Sequence, residues 1–170
     1  MKRTGRRFMA LVLLLTLLSA QAVLAAGKSH IECDCVTRRC ECFIQYGDEG
    51  GAVKKIIRLL KDKGYLDRGL STEELNGPVE NAVIAFQTDN RLEPTGQMDD
   101  ETLTLLLWNM TPEQLDRTNP NYRTVYIPVN GGKKRHLNPE CSGMDHPRKV
   151  SDRNAEALGF DGCKKCYTGK

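Results

Sequence analysis

The chain has 170 residues, with 25 Lys and Arg against 22 Asp and Glu, seven Cys and three His. Four of the bases, Lys2, Arg3, Arg6 and Arg7, stand at the start; without them 21 basic face 22 acidic residues and the net charge is −1, so the remainder carries no bulk positive charge of the kind that coats nucleic acid. With His30, His136 and His146 the only histidines, no Ser- or Cys-nucleophile motif and no His-Glu-x-x-His, the composition argues against an enzyme.

In chain order, the four bases precede an apolar run from Phe8 to Leu18, followed by the small-residue stretch Ser19-Ala20-Gln21-Ala22-Val23-Leu24-Ala25-Ala26. This is the layout of a secretory signal over 1–25, with Ala26 or Gly27 expected as the new N-terminus. The run is too short for the roughly 20 residues of a membrane-spanning helix, and no later stretch approaches one. The expected location is outside the cytoplasmic membrane, secreted or in the cell wall.

Residues 26–46 form a cysteine-rich segment. From His30 to Phe43, cysteines alternate with acidic residues on both sides of Val36-Thr37-Arg38-Arg39, a period of two that predicts a β-hairpin. Cys33 then faces Cys42 and Cys35 faces Cys40, all on one face. Two cross-strand disulfides suit an oxidising compartment, and a four-sulfur metal site is the rival.

The period changes after Gly50. Val53, Ile56, Ile57, Leu59 and Leu60 form a helical stripe that stops at Lys63-Gly64. Asn76-Gly77-Pro78 starts a second helix carrying Val79, Ala82, Val83 and Phe86, and Met98-Asp99-Asp100-Glu101 starts a third that runs to about Trp108. Residues 47–110 are therefore expected to be one small helical domain. The polar, proline-containing stretch 111–122 reads as a linker. Beyond it, Thr124 to Val129 is strand-like, Asn130-Gly131-Gly132 is a turn, Lys133 to Leu137 is the expected returning strand, and Ser151 to Leu158 is a capped helix.

The stretch with Gly64-Tyr65, Ala82-Val83-Ile84-Ala85-Phe86-Gln87 and Gly96-Gln97-Met98-Asp99-Asp100-Glu101-Thr102 resembles the peptidoglycan-binding domain family. The resemblance implies a three-helix bundle, peptidoglycan as partner, and a setting beside cell-wall hydrolases. Most of these motif residues also have a scaffold role, as one helix face or a turn. Tyr65, Gln87, Asn90 and Arg91 are the candidate ligand contacts.

In the tail, residues 123–170, His136, Cys141, Cys163 and Cys166 are spaced His-x4-Cys, then 21 residues, then Cys-x-x-Cys, a set of four N and S donors that suits structural zinc. A Cys163/Cys166 redox pair, a Cys141 disulfide to the hairpin, and free thiols are the alternatives. Gly159-Phe160-Asp161-Gly162-Cys163-Lys164-Lys165-Cys166 resembles the zinc module of the Ada DNA-repair family. His136 replaces a Cys there, and no methyltransferase domain follows, so alkyl transfer is not implied. Lys133, Lys134, Arg135, Lys164 and Lys165 suit either phosphate contacts or a solvated basic face.

The fold expected is thus α+β: a small three-helix bundle, an N-terminal cysteine-rich hairpin and a C-terminal hairpin/helix zinc module. The function expected is a non-catalytic, exported peptidoglycan-binding protein. A nucleic-acid-binding or redox module, or an accessory subunit of a cell-wall hydrolase, is the alternative.

Overall fold

The computed structural model describes residues 42–115, 123–144 and 146–168. The expected leader, and the expected hairpin apart from Cys42 and Phe43, lie outside them, so the pairing of Cys33, Cys35, Cys40 and Cys42 remains a proposal. Where the described chain begins, the Cys42 carbonyl accepts the Lys149 N–H at 2.8 Å and the Ile44 carbonyl accepts the Met98 N–H at 2.8 Å.

Three helices follow: α1 (Gly51–Asp62), α2 (Gly77–Asp89) and α3 (Asp100–Trp108). Helix α1 turns Ala52, Val53, Ile56, Ile57 and Leu60 inward, with Leu59 of the expected stripe only partly buried, and packs on both α2 and α3. It ends in a Schellman turn, with Gly64 at φ 83° and the Tyr65 N–H reaching back to the Leu60 carbonyl at 2.9 Å. Asn76 caps α2 by accepting the Val79 N–H, and Asp99 caps α3 by accepting the Thr102 N–H at 2.8 Å. Phe86, 3% exposed, lies against Tyr65 edge-on with centroids 5.3 Å apart. Phe86→Ala is expected to cost about 3–5 kcal/mol, read as a lowered urea midpoint.

The second half is built from short pieces: β1 (Thr124–Ile127), β2 (Lys134–Arg135), a 3-10 turn at Cys141–Gly143, β3 (Arg148–Ser151), α4 (Asp152–Ala157), β4 (Asp161–Gly162) and α5 (Lys164–Thr168). The fold class is α+β. Strand β1 runs antiparallel to β3 with Val125 opposite Val150, while β2 runs parallel to β4. The returning strand expected at Lys133 to Leu137 contributes only one bridge to β1, Tyr126 to His136, with two hydrogen bonds of 2.8 Å. Burial explains the choice of partner. Val125 lies opposite Val150, an apolar partner that Lys133, Lys134 and Arg135 cannot replace, while Ile127 lies opposite Arg148. Those bases are drawn instead toward β4 and α4: Lys134 pairs with Asp161 at 2.9 Å, and Arg135 binds Asp152 and the Phe160 carbonyl.

The helical half and the strand-rich half share one hydrophobic core, which runs from Ile44, Val53 and Leu60 through Leu103 and Leu106 to Val125, Ile127, Val150 and Phe160. Polar contacts reinforce the join. Buried Asn154 donates to the Asp100 carbonyl, Asp100 Oδ1 and Thr104 Oγ1, and accepts from the Trp108 indole at 3.1 Å. Gly50, at φ 102°, lies so close to Val129 that a Cβ there would stand 2.3 Å from the Val129 carbonyl oxygen. A side chain would therefore clash with backbone while adopting a left-handed conformation. Among the described residues no helix is long and apolar enough to cross a membrane.

Candidate binding cleft and metal centre

Helices α1, α2 and α3 end at Lys63, Asn90 and Asn109, and these three residues meet at one cleft of about 370 Å³. Tyr65 forms one wall, with Phe86 and Leu105 also lining it. The Tyr65 hydroxyl donates to Asp89 Oδ2 at 3.0 Å; burial, then that bond and the carboxylate's charge, raise its pKa above the ordinary tyrosine value. Asn90 donates its side-chain N–H to the Phe86 carbonyl at 2.8 Å.

The four residues expected to contact ligand are thus divided. Tyr65 and Asn90 come together in the cleft. Gln87 is fully buried: its Nε2 donates to the Gln97 carbonyl at 2.8 Å and reaches Thr102 Oγ1 at 3.1 Å, while its Oε1 accepts the Gly96 N–H at 2.9 Å. It works as a strut that ties the 95–97 turn to the start of α3. Arg91, at φ 58°, provides the left-handed residue after α2 and directs its exposed guanidinium to Glu113 at 3.4 Å. Lys63 and Asn109 do not stand out in the sequence, although their place at helix ends offered a signal.

The other constellation is built from four separate pieces of chain. His136 follows β2, Cys141 opens the 3-10 turn, Cys163 follows β4 and Cys166 sits in α5. Their ligand atoms all lie within 4.8 Å of one another. Cys141 Sγ is 3.9 Å from Cys163 Sγ, and Cys166 Sγ is 3.9 Å from His136 Nδ1. A tetrahedral metal with bonds of about 2.3 Å to sulfur has ligand–ligand edges of about 3.8 Å, close to these two separations, and the widest edges of the group, up to 4.8 Å, would close by about 1 Å around one ion. A disulfide requires about 2.05 Å, and all three thiols are free.

The local electrostatics are uneven. The Cys166 backbone N–H lowers the Cys163 thiol pKa against the opposing effect of burial, and the Lys165 N–H helps. Burial raises that of Cys166 and lowers that of His136, which favours the neutral imidazole over the charged one. The group could hold a metal ion. A second cleft of about 370 Å³ opens beside it, with Lys133, Lys134 and Lys164 at its rim and Met144 in its lining.

No curated protein and no solved structure matches the chain. Residues 49–106, which take in all of α1 and α2 and most of α3, match the family model described as a putative peptidoglycan binding domain.

Proposed function

We propose that this chain is an exported, non-catalytic protein that docks on peptidoglycan through its three helices, and that zinc clamps its C-terminal segment. The match of residues 49–106 to a peptidoglycan binding domain carries the reading. The cleft at the helix ends supports it, because Lys63, Asn90 and Asn109 bring hydrogen-bonding groups beside the Tyr65 and Phe86 side chains, where a small polar ligand could be held.

Zinc is the metal best suited to three thiolates and an imidazole at tetrahedral spacing, and four protein ligands fill its coordination shell. The ion would supply a cross-link between β2, the Cys141 turn and α5, with no open position for a substrate. Cys141 and His136 would both be used as ligands in that cluster, which leaves neither free to act as a nucleophile or its base. A hydrolase acting on the same polymer is the partner class such docking would serve.

Purified sacculi incubated with the full-length protein should retain it after sedimentation and washing, and elemental analysis of the retained material should find one zinc per chain. Protein left wholly in the supernatant at all salt concentrations would refute the docking proposal.

A further inference from the structure

The three helices that carry the family match all end at the same cleft, and their ends give it a particular electrostatic character. Each helix C-terminus contributes about half a negative elementary charge through its last carbonyls. The Asp89 carboxylate is not part of the lining, but it accepts the hydroxyl of Tyr65, which is, at 3.0 Å and so places a negative charge behind that wall. Opposite in sign stands Lys63, whose ammonium meets only Asn109 Oδ1 among the described residues.

The two carboxamides are already half used, in complementary senses. Asn90 spends an N–H on the Phe86 carbonyl, which leaves its Oδ1 as an acceptor, whereas Asn109 spends its Oδ1 on Lys63, which leaves its NH₂ as a donor. One acceptor and one donor match the N–H and C=O of a peptide bond. The acid and the base match a ligand that carries both an ammonium and a carboxylate. At about 370 Å³ the cleft is within the range of roughly 300–1,000 Å³ typical of small-ligand sites. A bare glycan strand has hydroxyl and acetamido groups and no ammonium, and it would leave both charges unmatched.

We infer that the cleft takes the stem peptide of peptidoglycan, at a residue with a free ammonium and a free carboxylate such as an uncross-linked diamino acid. This rests on the peptidoglycan reading above and assigns Lys63, Asp89, Asn90 and Asn109 as its recognition groups. The ligand's carboxylate meets Lys63, its ammonium meets Asp89 and the helix ends, and its backbone amide lies between the two asparagines.

The test uses the full-length protein and three soluble probes: a stem tripeptide ending in a diamino acid, the same peptide with its side-chain ammonium acetylated, and glycan strands stripped of peptide. The tripeptide should bind in calorimetry and displace the protein from sacculi. Acetylation should weaken it by roughly ten- to a hundredfold, the effect of losing one charge-assisted hydrogen bond. Lys63→Met and Asp89→Asn should each weaken it comparably, and Lys164→Met, beside the other cleft, should leave it unchanged. The acetylated peptide keeps the test independent of whether a variant folds.

Displacement by glycan strands and not by tripeptide, or equal binding of free and acetylated peptide, overturns the inference while the peptidoglycan reading stands. Tripeptide binding without retention on sacculi sinks wall docking and leaves the cleft's assignment in place. No binding to either overturns both.

Discussion

Chelation of the metal-loaded protein is expected to release β2, the Cys141 turn, β4 and α5 into fast amide exchange. These pieces carry the four candidate ligands but contribute little to the core, since β2, β4 and α5 bury no large apolar side chain of their own. Structural zinc supplies an apparent 10–16 kcal/mol, roughly, in small zinc-dependent peptides, more than any other interaction can give this segment. Strands β1 and β3 and helix α4 place Val125, Ile127, Val150 and Ala155 in the shared core, so they should keep slow exchange along with α1 to α3. Cys163→Ser should reproduce the effect of chelation, and His136→Cys should retain zinc because sulfur is also a good ligand. Finding no metal in folded protein by elemental analysis, or a disulfide among Cys141, Cys163 and Cys166 by mass mapping, would overturn the assignment.

Acid should act in the same direction. Burial lowers the His136 pKa in the fold, so as pH falls through the ordinary histidine value of about 6.5, the unfolded chain takes up a proton that the folded chain resists. Stability contributed by the neutral imidazole is therefore complete above that pH and declines below it. Protonation of the thiolates and imidazole competes with the metal as well, and it steepens the fall. A urea midpoint of the zinc-loaded protein that stays level from pH 7.5 to pH 5 would contradict this.

Arg148→Met is expected to destabilise the fold by about 3–5 kcal/mol. Arg148 and Asp48 are 8% and 1% exposed, and their side chains meet in a fork: Nε donates to Oδ2 and Nη2 to Oδ1, each at 2.7 Å. Asp48 Oδ2 also accepts the Gln45 N–H at 3.0 Å. The pair links the loop before α1 to β3, so it belongs to the seam between the two halves. Removing the guanidinium leaves a carboxylate in a site closed to water, and the expected loss comes mainly from that stranded charge. A double replacement of Asp48 and Arg148 by Leu and Met should recover most of the loss, because an apolar pair of similar volume avoids the desolvation of two ions. Urea denaturation at fixed zinc concentration checks both. A loss below about 1 kcal/mol for the single change would mean that water reaches Asp48.

The local elements of this protein were readable from its sequence. Four of the five residues of the expected stripe, Val53, Ile56, Ile57 and Leu60, are buried by α1, and Asn76, Asp99 and Ser151 cap the helices they precede. Each depends only on neighbours within a turn or two, where period and capping chemistry are explicit. That His136, Cys141, Cys163 and Cys166 come within 4.8 Å of one another was anticipated for a related reason, since few residue types are candidate metal ligands and their spacing narrows the choice.

Only the tertiary structure decided how these pieces meet. It paired β1 with β3 across the intervening loop, joined Asp48 to Arg148 over 100 residues, and buried Gln87, one of the four candidate ligand contacts, as a strut. It also brought Lys63, Asn90 and Asn109 from three helix ends to one cleft. Contacts of this kind carry no local period, because which buried polar group finds which partner is set by the packing of elements distant in the chain. That packing fills one core and satisfies its buried hydrogen bonds together, and among the described residues no buried side-chain nitrogen or oxygen is left without a partner.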